Sequence, residues 1–74
     1  ALDPNYSTEL FNAYMEAFHA LPKEQQEVYV MSRYKQLTHK AIADMLEVSV
    51  QTVNYRMGKA LQFFRIRLRD FFLE

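Results

Sequence analysis

Residues 48–61 read VSVQTVNYRMGKAL. Val50, Val53, Met57, Ala60 and Leu61 recur at helical spacing, so the stretch is expected to form a helix that packs along that side. The other side carries Gln51, Thr52, Asn54, Tyr55, Arg56 and Lys59, with no acid among them. A solvated helix face ordinarily interleaves both signs of charge. Amides, a hydroxyl, an aromatic ring and positive charge on one surface suit a polyanion.

The residues just upstream give this helix a partner. Ser49 is a strong N-cap for it, and Thr38 is an N-cap for a shorter helix over 38–46. Residues 47–48 make a tight turn between the two. Ile42, Ala43, Leu46, Val48 and Val53 are small or apolar, which allows two helices to cross closely. Ala43 sits at the crossing, where a bulkier side chain would force them apart. Two short helices on a tight turn, the second with a polar outer face, form a helix-turn-helix, here at residues 38–61. A helix with side chains is about 10–12 Å wide and fits a DNA major groove about 12 Å across. Gln51 and Asn54 then offer paired donors and acceptors to base edges. Tyr55 and Thr52 offer a hydroxyl and an apolar contact for a thymine methyl. Arg56 and Lys59 reach phosphates. Thr38, His39 and Lys40 open the first helix, where free N–H groups favour a phosphate.

The rest of the chain also reads as helix. It has 74 residues, one glycine (Gly58) and two prolines, and it lacks β-hairpin signals. A first helix is expected over 7–21, capped by Ser7 or Thr8, with Leu10, Phe11, Tyr14, Met15, Phe18 and Leu21 as its stripe. A second is expected over 22–35, opened by Pro22, with Val28, Tyr29, Met31 and Tyr34 inward. The last helix runs unbroken from 49 to 72, with Phe64, Leu68 and Phe71 continuing its stripe. Residues 1–6 are expected to be loose. The fold class is therefore an all-α, single-domain, four-helix bundle. It belongs with the three-helical DNA-binding folds, winged-helix-like or homeodomain-like, with a long last helix.

Composition excludes several functions. The chain has no cysteine, and its two histidines stand alone, so disulfides and a zinc site are not expected. No apolar run reaches the roughly 20 residues of a membrane span. Neither His19 nor His39 has a nucleophile or acid at catalytic spacing, and one glycine cannot make a phosphate-cradling loop. No enzyme, cofactor or small-molecule substrate is expected. A cysteine-free chain suits a reducing, cytoplasmic setting. The net charge is zero but graded: residues 1–27 sum to −4, 28–50 to +1 and 51–74 to +3. That asymmetry agrees with a polyanionic partner. The chain starts at Ala1, and a longer native protein is expected.

The stretch LPKEQQEVYVMSRYKQLTHKAIADMLEVSVQTVNYRMGKAL resembles the fourth conserved region of bacterial RNA polymerase sigma factors, most of all the extracytoplasmic-function class. The resemblance rests on Leu21-Pro22, Glu27-Val28-Tyr29, Ser32-Arg33-Tyr34, Leu37-Thr38, Ile42-Ala43, Leu46, Val48-Ser49, Thr52-Val53 and Lys59-Ala60-Leu61, in order and at the family's spacing. It covers about residues 18–68. It implies binding to the minus-35 element of double-stranded promoter DNA and docking on the beta flap of core RNA polymerase. It also implies that an anti-sigma factor could bind the same surfaces. The family's other DNA-binding region, which opens the minus-10 element, is not within these residues. Departures stand at Gln26 for arginine, Gln36 and Glu47 for glycines, and Ala41 for glutamate.

The site expected from these readings has Gln51, Asn54 and Tyr55 on bases. Thr38, His39, Lys40, Thr52, Arg56 and Lys59 hold phosphates, with Arg33 more peripheral. Phe63, Ile66 and Phe72 lie partly off the last helix's stripe, either covering the first helix or meeting a protein partner. Two alternatives remain. One is a response-regulator-type transcription factor domain. The other is a protein-interaction module that kept the fold without DNA binding.

Overall fold

The computed structural model describes the backbone of residues 4–71 and the side chains of residues 7–71. Four α-helices follow one another: α1 Pro4–Ala20, α2 Lys23–Arg33, α3 His39–Leu46 and α4 Val50–Arg67, then a 3-10 turn at Arg69–Phe71. No strand occurs among the described residues. The fold is all-α, and α3 with α4 is a helix-turn-helix.

Local chemistry sets the helix starts. Thr38 is extended and its hydroxyl oxygen accepts from the Ala41 N–H at 3.1 Å. Ser49 does the same for the Thr52 N–H at 3.0 Å. Each satisfies a donor that the first helical turn leaves unpaired. Pro22 caps α2 through its carbonyl alone, which accepts from the N–H groups of Gln25 and Gln26. α1 begins at Pro4 rather than near Ser7, because proline is tolerated at a first helical position where its missing N–H costs nothing.

Two helix ends need a left-handed residue, and neither has a glycine. Gln36 has φ 57° and Glu47 has φ 58°. At Glu47 the end of α3 is a Schellman motif. The Val48 N–H donates to Ala43 O at 3.0 Å and the Glu47 N–H to Asp44 O at 3.4 Å. After α2, the Leu37 N–H reaches back to Met31 O at 3.0 Å.

α4 is the central element and packs on α1, α2 and α3. The core joins Ala17 and Leu21, then Val28, Tyr29 and Met31, then Ile42 and Ala43, and then Val53, Met57, Ala60, Phe64 and Leu68. Tyr14 of α1 stacks on Phe64 of α4 at 5.1 Å between ring centres, and Phe64 also meets Tyr29 at 4.9 Å. Gln26, in the place of the family's arginine, donates its amide to Phe18 O at 2.9 Å and ties α2 to α1.

Three expected inward residues are exposed, and so is Met45. Phe11 is 61% exposed because the α1 stripe is turned toward Ala13 and the fully buried Ala17. Met45 is also 61% exposed. It lies about 100° around α3 from the centre of the Ile42, Ala43 and Leu46 face, at roughly 100° per residue. Val50 is 41% exposed, one turn ahead of the first buried residue of α4, Val53. Tyr34 ends α2 largely exposed; its ring meets that of Tyr29 edge-on at 6.4 Å between centres, and its hydroxyl lies 3.1 Å from that of Tyr14.

The last helix is shorter than 49–72. α4 ends at Arg67, and the Phe71 N–H donates to Leu68 O at 3.0 Å. Residues three apart eclipse in a 3-10 turn, so Phe71 falls on the side of buried Leu68 and packs on the core. Phe63 is half-buried against the core, with the Arg67 guanidinium 5.0 Å from its ring centre, while Ile66 is exposed. The expectation for Phe72 lies outside the described residues.

Candidate nucleic-acid interface

The helical period places Gln51, Asn54, Tyr55 and Gly58 on one side of α4, and all four are exposed. Val53, Met57, Ala60 and Phe64 are buried on the opposite side. α4 contains Arg56, Lys59, Arg65 and Arg67 and no acidic residue. Its first three turns therefore present N–H groups, amides and positive charge together.

Lys59 leans over the ring of Tyr55, with Nζ 5.7 Å from the ring centre. Nothing lies within 4 Å of the place a Cβ would take at Gly58. Close helix packing within this chain therefore does not explain that glycine.

Other expected residues are held less freely. Thr52 is half-buried, and its hydroxyl lies 2.9 Å from that of Ser49, inside the helix cap. Arg56 is half-buried at the flank of the exposed side. Thr38 uses its oxygen for the α3 cap and keeps its hydroxyl hydrogen to donate outward. Lys40 stands 4.0 Å from Asp44 one turn along α3, an exposed pair worth at most about 1 kcal/mol. That pair leaves the lysine able to turn to a phosphate.

His39 and Asn54 are hydrogen-bonded to each other, Nδ1 to Oδ1, across the helix-turn-helix. Sequence reasoning assigned the two separate duties. Fifteen positions separate them, and no local pattern signals the bond.

Arg33 is not gathered with the α4 face. It lines an open groove of about 680 Å³ with Arg65 and Arg69, over Tyr14, Tyr29, Leu61, Phe64 and Leu68. Arg65 lies eleven residues beyond Asn54, roughly 16 Å along the helix at about 1.5 Å per residue. Above the groove floor, the Tyr14 hydroxyl is 2.8 Å from that of Tyr29 and 3.1 Å from that of Tyr34. Burial, then these two hydrogen bonds, push the Tyr14 hydroxyl's pKa far above the usual tyrosine value.

The family model for Sigma-70, region 4, matches residues 11–64, a span that runs from α1 through nearly all of α4. The chain belongs to the sigma-70 region 4 family. No curated protein sequence matches it, and no solved structure matches it. As a sigma region 4 domain it is a promoter-recognition module of transcription, from a DNA-binding family that is not one of enzymes. Among the described residues, no helix of this region 4 domain is long and apolar enough to cross a membrane.

Proposed function

We propose that this region 4 domain reads the minus-35 element of a promoter through the first three turns of α4, laid in the major groove. The observation that carries the reading is the acid-free, exposed side of α4 with Gln51, Asn54 and Tyr55 in register. Gln51, Asn54 and Tyr55 contact base edges. Lys59, Arg56 and Lys40, with the hydroxyls of Thr38 and Thr52 and the His39 ring, hold the phosphates on either side. Arg33 contributes a more distant positive charge.

A second surface supports docking on core RNA polymerase. The groove floored by Tyr14, Tyr29, Leu61, Phe64 and Leu68 offers an apolar helix of the beta flap a seat, and an anti-sigma factor would compete for it. Phe63 and Ile66 extend apolar surface along the same end of α4. A domain with this role works in the bacterial cytoplasm, beside the chromosome.

Selection from a randomised duplex library at low salt tests the DNA reading. The wild-type chain is expected to enrich one motif. Gln51→Ala is expected to relax one base position, at a discrimination cost of about 1–3 kcal/mol. Lys59→Ala is expected to weaken all sequences evenly and reduce the salt slope by about one. Failure to bind any duplex would remove DNA recognition from this domain and favour the protein-interaction alternative.

A further inference from the structure

We infer that His39 is the positioning residue that fixes which end of the Asn54 carboxamide meets the DNA, making Asn54 a donor that selects bases with acceptor-only edges. The inference rests on the reading of α4 as the base-contacting helix. Asn54 Oδ1 faces His39 Nδ1 within hydrogen-bond distance. A carboxamide oxygen carries no hydrogen, so the ring nitrogen must supply it: Nδ1–H donates and Oδ1 accepts. With the oxygen turned to α3, the Nδ2 amide and its two hydrogens are left on the exposed side, in register with Gln51 and Tyr55.

That orientation changes what Asn54 recognises. An asparagine with both ends free pairs with adenine, donating to N7 while accepting from N6. Asn54 has its oxygen turned to His39, so the end it presents outward is the Nδ2 donor. Guanine presents N7 and O6, both acceptors, and thymine presents O4. Cytosine presents an N4 donor, which a donor cannot meet. His39 thus sets specificity without touching a base, through a bond between the two helices of the motif.

The orientation is held from both sides. His39 is the first residue of α3, just after the Thr38 cap, and is half-buried. Asn54 lies one residue after buried Val53, whose packing fixes the rotation of α4. The opposite arrangement, with Asn54 Nδ2–H donating to an unprotonated Nδ1, would turn Oδ1 outward, to accept from adenine N6 or cytosine N4. The two arrangements therefore predict different bases.

Two measurements on the 74-residue chain test this. Long-range proton–nitrogen NMR of the His39 ring in the free chain is expected to show Nδ1 protonated. An unprotonated Nδ1 would overturn the inference before any DNA is added. The randomised duplex selection is then run with His39→Asn, His39→Asp and Asn54→Ala. His39→Asn keeps an N–H donor close to the place of Nδ1, and is expected to keep the wild-type guanine or thymine at the Asn54 position. His39→Asp offers only acceptors, turns the amide round, and is expected to shift that position toward adenine or cytosine by about tenfold. Asn54→Ala is expected to lose the preference there and nowhere else. An acid in the first turn of α3 suits the helix dipole, so His39→Asp is expected to fold, as its helical circular dichroism will show. A wild-type motif whose Asn54-dependent position ignores His39→Asp overturns this inference alone. If no sequence is enriched by the wild-type chain, the reading of α4 as a base-contacting helix falls, and this inference falls with it.

Discussion

Glu47 shows how much a single backbone angle contributes to this fold. It stands where the family commonly has a turn glycine, and its φ of 58° is the left-handed conformation that L-residues avoid at a cost of about 1–2 kcal/mol. Gln36, also in place of a glycine, carries the same strain at φ 57°. Glu47 persists because the Val48 bond to Ala43 and the packing of α3 against α4 determine its turn, and Gln36 because the Leu37 bond to Met31 closes the end of α2. Glu47→Gly is expected to raise stability by up to about 1 kcal/mol, since glycine's greater unfolded-state entropy offsets part of the relief. Urea unfolding should show a higher midpoint at an unchanged slope. The sequence shows Gln36 and Glu47 standing where the family pattern has glycines. Which residues would adopt positive φ depended on the path of the backbone, and the structure places it at those two.

Among the elements, α4 is where local signals and tertiary demands meet. Ser49 and Thr38 cap their helices as the sequence indicates, because an N-cap bond spans only three residues. Ser49→Ala is expected to cost about 1 kcal/mol, measured by thermal or urea unfolding. It also releases the Thr52 hydroxyl, which the cap holds at 2.9 Å from Ser49. Ser49→Asp should retain most of the stability, whereas Ser49→Ala should not. The ends and rotations of the elements were harder to read. A periodic apolar pattern does not say which of two adjacent stripes faces the core, and α1 chose the alanines over Phe11 and Met15. Nor does it say where packing of Phe71 makes a helix tighten into a 3-10 turn.

At the scale of the whole molecule, three tyrosine hydroxyls join α1, α2 and the end of α2. Tyr14 is held protonated by burial and by its bonds to Tyr29 and Tyr34. Its folded-state pKa lies above the unfolded value of about 10, so the unfolded chain releases this proton first. The associated stability is therefore fully present below pH 10 and is lost as pH rises beyond it. Melting temperature is expected to be flat from pH 7 to 9 and to fall steeply above 10. Tyr14→Phe should flatten that fall, with tyrosinate absorbance showing fewer late-ionising rings.

The sequence by itself determined the presence of four helices, the caps of α3 and α4, the helix-turn-helix and the polar, acid-free side of α4. These are short-range consequences of side-chain chemistry and helical period, which act over three or four residues. Only the tertiary structure decided which distant groups would meet. His39 binds Asn54 across 15 positions, and Tyr14 reaches Tyr29 across 15 and Tyr34 across 20. Arg33 joins Arg65 and Arg69 at an aromatic groove rather than the α4 recognition side. Such meetings depend on the angles at which packed helices cross. Those angles follow from the fit of Ala17, Ala43, Ala60 and Phe64 in one core, which no local stretch encodes.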